Sequence, residues 1–262
     1  MGQHIAVGEA QIFAETWGAT TPKVFLLHCS LAHHGVWQPF VSALGSPASS
    51  AIDLPGHGKS SPWVKGDMDY GDLCAAACVE CAPRRAHVVG HSFGAVVALR
   101  YALENPTRVS RLTLIEPVFF KAAEGTPVFE GHQTDFVPFG EAFIAGDTDR
   151  ASEAFLSLWG GGMPWSALPD AQKRYIANRI HLIPAGERTL YEDPAGVLMP
   201  DRLASLDLPV DLIAGALSPA VMEVILDHLE RVLPNTQRHV IGGAGHMSPL
   251  THPKQVVACL SL

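Results

Sequence analysis

Gly90-His91-Ser92-Phe93-Gly94 sets a serine between two glycines, after a short apolar run at 86–89 and before an apolar helical stretch at 95–103. A strand, a tight turn and a helix in that order are what an exposed serine nucleophile requires. The turn admits only small residues two positions before and after the serine, and it strains the serine backbone. It carries Oγ out at the carboxyl end of a strand. The N-terminus of the next helix then favours negative charge developing beside it. The pentapeptide alone recurs by chance; its setting makes Ser92 the expected nucleophile.

A serine hydroxyl needs a base within hydrogen-bond reach to take its proton. Thirteen histidines are scattered along the chain, and most must be surface or structural residues. His246 is the expected base, because it follows a strand and the loop Gly242-Gly243-Ala244-Gly245, which is free to take unusual dihedral angles. His91 is expected to pack away from Ser92, and His57 to be a structural turn residue. Glu116, in Ile115-Glu116-Pro117, closes the strand after the nucleophile helix, where a carboxylate could hold a histidine in the right tautomer. The alternative is that it caps the helical region beyond or pairs with an arginine. Asp211 falls early in its strand and so belongs at the far edge of the sheet.

These residues must be held by a scaffold, and the pattern of the chain supplies one. Short β-type runs alternate with helical segments, which implies a largely parallel sheet covered by helices on both faces. Strands are expected at 5–7 and 11–17 (a hairpin), 23–28, 50–53, 85–89, 110–115, 208–214 and 238–241. Helices are expected at 35–44, 69–81, 220–233 and 253–260. The rhythm breaks between 118 and 202, where patterns are helical, clearest at 142–158 and 170–183, around the joint Trp159-Gly160-Gly161-Gly162-Met163-Pro164-Trp165. The expected organisation is a core of 1–117 and 203–262 with a helical insertion at 118–202.

Composition agrees with this. The 262 residues are 47% hydrophobic and 17% charged, enough for a substantial core, and a net charge of −8 argues against nucleic acid or an anionic membrane as a partner. No apolar run approaches the roughly 18 residues that span a bilayer. The start of the chain does not read as a signal peptide, and five cysteines, an odd number, suit a reducing cytoplasm. Cys74, Cys78 and Cys81 share one helical face and are expected to pack as small hydrophobes rather than hold a cluster. His33-His34 is no metal site without further ligands, although His33 could line a pocket. No cofactor or metal is expected, and nothing in the sequence sets the oligomeric state.

With Ser92 on its turn, the chain resembles the α/β-hydrolase superfamily. Leu26-Leu27-His28 followed by Trp37 looks like that family's oxyanion strand and loop. Asp53-Leu54-Pro55-Gly56-His57-Gly58-Lys59-Ser60 looks like its D-x-P-G-x-G-x-S turn, and Gly243-Ala244-Gly245-His246-Met247 its histidine loop. The resemblance implies the α/β-hydrolase fold, with 118–202 as a helical lid inserted after the strand that follows the nucleophile helix. It implies an oxyanion hole built from the backbone N–H of Phe93 and one from the loop after His28, Ser30 by preference and Cys29 second. The family's usual acid position, after the strand at 208–214, reads Gly215-Ala216-Leu217-Ser218 here. A serine stands where the aspartate would be, so Ser218 is the alternative to Glu116, which occupies the position that haloalkane dehalogenases use.

The expected activity is hydrolysis of a small or medium carboxylic ester through an acyl-enzyme on Ser92. Lactone opening, thioester or carbon–carbon bond hydrolysis and cofactor-free perhydrolysis are alternatives on the same scaffold, since fold does not choose among them. A catalytically weak binding protein is a further alternative, favoured only by Ser218. An insertion rich in aromatic residues implies a small-molecule substrate with an apolar part. Phe119, Trp159 and Trp165 are the expected lining residues from that region.

Overall fold

The run Val24-Phe25-Leu26-Leu27 is apolar without alternation, as a strand covered on both faces must be, and Val88-Val89 follow suit. The structure, a computed structural model, describes residues 2–45, 48–66 and 68–260. Its strands are β1 (Gln3–Val7), β2 (Ala10–Trp17), β3 (Val24–Leu27), β4 (Ser49–Ile52), β5 (Ala86–His91), β6 (Val109–Ile115), β7 (Val210–Gly215) and β8 (Thr236–Ile241). They form one sheet in the order β1-β2-β4-β3-β5-β6-β7-β8. The hairpin β1–β2 is antiparallel and β2 pairs antiparallel with β4, while β3 to β8 run parallel. Every residue of β3, β5 and β7 is buried.

The chain leaves β3 toward β4 on one side, and β5 lies on the other. The order therefore reverses at β3, and a crevice opens outside the carboxyl ends of β3 and β5. The loops that begin at His28 and at Ser92 meet there.

Helix Phe93–Glu104 follows the turn directly and buries nine of its twelve residues against the sheet. Helix Tyr70–Cys81 starts at Asp69, whose carboxylate accepts the Gly71 N–H at 2.9 Å. Cys74 and Cys78 are fully buried in the core and Cys81 is half-buried, and burial raises all three thiols, Cys81 to about 12. No helix among the described residues is long and apolar enough to cross a membrane.

Between β6 and β7 the described residues form helices and no strand: Pro127–Ile144, Thr148–Trp159, Asp170–Ala177, Leu182–Glu187 and Pro200–Ala204 are the α-helices. The single helix expected over 142–158 is in fact two. Gly146 takes a φ of +75°, and Asp147 then caps the second helix by accepting the Arg150 N–H at 3.0 Å. Pro127–Ile144 forms despite Gly131, Pro138 and Gly140. Phe139, Ala142, Ala151, Leu168, Ile176 and Ile180 of this region pack together, and Leu31 from the loop after β3 joins them.

The turn at Ser92 rests on its glycines. A Cβ on Gly94 would stand 2.4 Å from the carbonyl oxygens of Leu27 and His28, and one on Gly90 would stand 2.3 Å from the Gly94 oxygen. All these obstacles are backbone and cannot swing away. Gly94→Ala is therefore expected to cost about 3 kcal/mol, read as a lower urea midpoint, with β3 and the helix Phe93–Glu104 forced apart.

Candidate functional site

Ser92 has φ +56° and ψ −122°, a strained combination for a residue with a Cβ. Its N–H is donated to the Ile115 carbonyl at 2.9 Å, which ties the turn to β6. The side chain lies at the crevice between β3 and β5. His246 Nε2 is 2.9 Å from Ser92 Oγ, and His246 Nδ1 is 3.2 Å from Glu116 Oε2. The sequence separations are 154 and 130 residues, so only the tertiary fold brings the three into line.

Glu116 is fully buried and also has a positive φ, +54°, immediately after β6. Its second oxygen accepts the Gly215 N–H at 2.6 Å and the Ser218 hydroxyl at 2.5 Å. Two donors on Oε1 favour the ionised carboxylate and fix its plane, leaving Oε2 for the imidazole. Ser218 thus meets the carboxylate of Glu116, not the ring of His246. Gly215 and Ser218, from β7 and the loop after it, both donate to the carboxylate that reaches in from β6.

His91 is fully buried and its Nε2–H donates to the His246 carbonyl at 2.8 Å. Burial lowers its pKa to about 3, so the ring is neutral at ordinary pH. It packs away from Ser92 and also ties down the backbone of the His246 loop. No sequence signal distinguishes that second role, because its partner lies 155 residues away.

The loop after β3 carries the expected oxyanion donors. His28 Nδ1–H donates to the Cys29 carbonyl at 2.7 Å while its Nε2 accepts the Leu54 N–H at 3.0 Å. Burial lowers His28 to about 4, consistent with a neutral ring in these two roles. Among the described residues, neither the Ser30 N–H nor the Phe93 N–H is donated to a protein acceptor. Ser30 lines both cavities described below and Cys29 only the wider one. Burial lifts the Cys29 thiol to about 12, so it stays protonated and is no competing nucleophile.

Two cavities meet at Ser92 and share Ser30, Phe155 and Trp159. The inner one is narrow, about 40 Å³, and is walled by Val118, Phe120, Phe136, Leu182, Leu190 and Tyr191. The outer one, about 600 Å³, is lined by His33, Met163, Tyr175, His246 and Leu250, among others. The expected lining residues divide accordingly. Trp159 lies in both walls, its ring 4.7 Å from that of His246, and His33 lines the outer cavity. Phe119 is fully buried in the core instead, because the chain after β6 turns Val118 and Phe120 toward the cavity. Trp165 lines neither cavity. It sits on a short 3₁₀ turn packed against the cluster around Phe139, Leu168 and Ile176, with Lys173 above its ring.

His33, His34 and Asp53 each offer a ligand atom within 4.8 Å of the others. The Asp53 oxygens already accept the His34 N–H at 2.6 Å, the His34 ring nitrogen at 2.9 Å and the Lys59 N–H at 2.8 Å. Burial alone would raise this carboxyl, but these hydrogen bonds outweigh it and hold the pKa at about 2. The cluster holds the turn at 53–60 against the loop after β3. Asp211 lies at the opposite, amino-terminal end of the strands, paired bidentately with Arg111 at 2.8 Å.

The chain matches the model of the alpha/beta hydrolase family over residues 24–259. It is 32% identical over 249 residues to a pimeloyl-[acyl-carrier protein] methyl ester esterase of Methylococcus capsulatus, covering 92% of this chain and 93% of that one. Among solved structures it resembles the haloalkane dehalogenase DatA of Agrobacterium tumefaciens with a TM-score of 0.76 at 21% identity, covering 98% of this chain and 94% of that one. It resembles the naproxen esterase of Bacillus subtilis with a TM-score of 0.72 at 19% identity, covering 98% and 89%. At these identities the structural likenesses speak to fold alone.

Proposed function

Because the chain belongs to the alpha/beta hydrolase family, we propose that it hydrolyses carboxylic esters, with Ser92 as nucleophile, His246 as general base and acid, and Glu116 as the residue that orients His246. The observation that carries this reading is the unbroken line Ser92 Oγ, His246 Nε2, His246 Nδ1, Glu116 Oε2, with spacings of 2.9 and 3.2 Å. His246 takes the hydroxyl proton as Oγ attacks the ester carbonyl. The Phe93 and Ser30 N–H groups receive the oxyanion. The imidazolium, stabilised by Glu116, then protonates the leaving alcohol, and the same steps with water release the acid.

Residues 118–202 act as the lid in this reading, supplying the apolar walls over Ser92. A narrow apolar inner cavity beside a wider outer one suits an ester with one medium-sized apolar part. The Methylococcus relative is named for a methyl ester, and a methyl ester of a medium-length acyl group fits the same division of space. The esterase names of the relatives support a small-molecule substrate.

A fluorophosphonate is expected to label the wild type on the peptide containing Ser92 and to leave Ser92→Ala unlabelled. The wild type should also turn over p-nitrophenyl esters in the acetate-to-octanoate series. A folded wild type that is neither labelled nor active on any of them overturns the reading in favour of a binding protein.

A further inference from the structure

His57 lies in the turn after β4, outside the line of Ser92, His246 and Glu116. It is 1% exposed, and both of its ring nitrogens are engaged. Nε2 is 2.9 Å from the Leu31 backbone nitrogen, whose N–H can only donate. Nε2 is therefore the unprotonated nitrogen, and Nδ1–H donates to the Pro55 carbonyl at 3.1 Å. That carbonyl also accepts the Tyr70 hydroxyl at 3.1 Å, and the Tyr70 ring stacks on Phe93 with centroids 5.5 Å apart. Burial holds the His57 pKa well below its ordinary value, in keeping with a neutral ring.

Leu31 is the residue after Ser30, and its φ of +61° is one of only four positive values at non-glycine residues described in the chain. A leucine does not hold that conformation unaided. The Ala32 N–H closes the turn on the Cys29 carbonyl at 3.3 Å, and three further contacts secure the segment around it. The Cys29 carbonyl takes the His28 proton, so the trans peptide turns the Ser30 N–H the opposite way. The Ala32 carbonyl takes the Tyr175 hydroxyl at 2.8 Å. His57 holds the peptide between, the one on which the strained φ turns.

We propose that His57 is a positioning residue for the oxyanion hole, its Nε2 holding the Ser30–Leu31 peptide so that the Ser30 N–H faces the position above Ser92. This rests on the reading of Ser92 given above. The effect belongs to the transition state, because the oxyanion forms only there. Losing the Nε2 acceptor should lower kcat and leave KM nearly unchanged. Losing a whole oxyanion donor costs about 10²–10³-fold. A donor left in place but no longer aimed should cost about 10–100-fold.

The test compares two amides that differ by one methylene. His57→Asn reaches only the Nδ1 position, keeping the Pro55 partner and losing Leu31. His57→Gln reaches the Nε2 position and can accept the Leu31 N–H. Expected for p-nitrophenyl butyrate is a kcat about 10–100-fold down in His57→Asn with KM within about threefold, and a His57→Gln enzyme restored to within about fivefold of wild type. Inhibition by n-butylboronic acid, which becomes tetrahedral on Ser92 Oγ, should weaken by the same factor as kcat falls. Equal losses in both variants, or a loss confined to KM, overturn the proposal. If His57→Asn does not fold, the ¹⁵N shifts of the wild-type ring decide: Nδ1–H supports the proposal and Nε2–H overturns it. An active, fluorophosphonate-labelled wild type with an unaffected His57→Asn sinks this inference alone, whereas an inert, unlabelled wild type sinks the reading of Ser92.

Discussion

Glu116→Gln is expected to lower kcat by about 10⁴-fold with little change in KM. The reason lies in the partners of the carboxylate rather than in charge alone. Oε1 accepts two hydrogen bonds, from the Gly215 N–H and the Ser218 hydroxyl. A glutamine must put its carbonyl oxygen there, because its NH₂ would face the Gly215 N–H, donor against donor. The NH₂ is then turned to His246 Nδ1 and donates to it. That fixes the proton on Nε2, facing Ser92, and a protonated Nε2 cannot take the hydroxyl proton. Ser218→Ala removes one of two donors and leaves the carboxylate, so its loss should stay within about tenfold. Turnover of p-nitrophenyl esters by the two variants checks both. A Glu116→Gln enzyme within tenfold of wild type would mean that another group orients His246.

The tight turn at Ser92 could be read from the chain because its requirements are local. Two glycines, a strand before and a helix after are all visible in 86–103, and the backbone clashes a Cβ would meet at Gly90 and Gly94 are those the motif anticipates. That Glu116 faces the crevice could be expected for a similar reason: it closes β6, and a carboxyl-terminal strand end in a parallel sheet opens toward that crevice. The hydrogen bonds of His57 and His91 could not be. Each depends on a backbone group brought near by the fold, 26 and 155 residues distant, and neither carries a spacing signature. Within 118–202 the helical character was evident but the boundaries were not. Pro138 and two glycines obscured the helix Pro127–Ile144, and the stop at Gly146 falls inside the stretch 142–158 that reads as one helix. Phe119 and Phe120 are adjacent and alike in chemistry, so only packing decides which one meets the cavity.

Stability is expected to fall steeply between pH 6.5 and 4, before most carboxylates titrate. His28 and His87 are held at about 4 and His91 at about 3, in each case mainly by burial. In the unfolded chain they titrate near the ordinary value of about 6.5. Between those limits the unfolded chain binds protons that the folded chain refuses, so stability rises with pH across the window and is lost on acidification. At pH 4 each such histidine costs roughly 3 kcal/mol, and three of them together rival the whole stability of an ordinary domain. Asp53 works in the other direction and at another pH. Held at about 2, it contributes fully above its unfolded value near 3.8 and loses its contribution only below that. An acid transition centred above pH 4 therefore belongs to the histidines. The measurement is urea unfolding in steps from pH 7 to 4.5. His87 sits at the far end of the sheet from Ser92, bonded to Thr113 Oγ1 at 2.8 Å. His87→Gln should remove about one proton from the slope of unfolding free energy against pH and leave ester turnover at neutral pH unchanged. A urea midpoint that stays flat down to pH 4.5 would show that these rings take up their protons without unfolding, and that the buried network around the Ser92 crevice opens to water more readily than its hydrogen bonds imply.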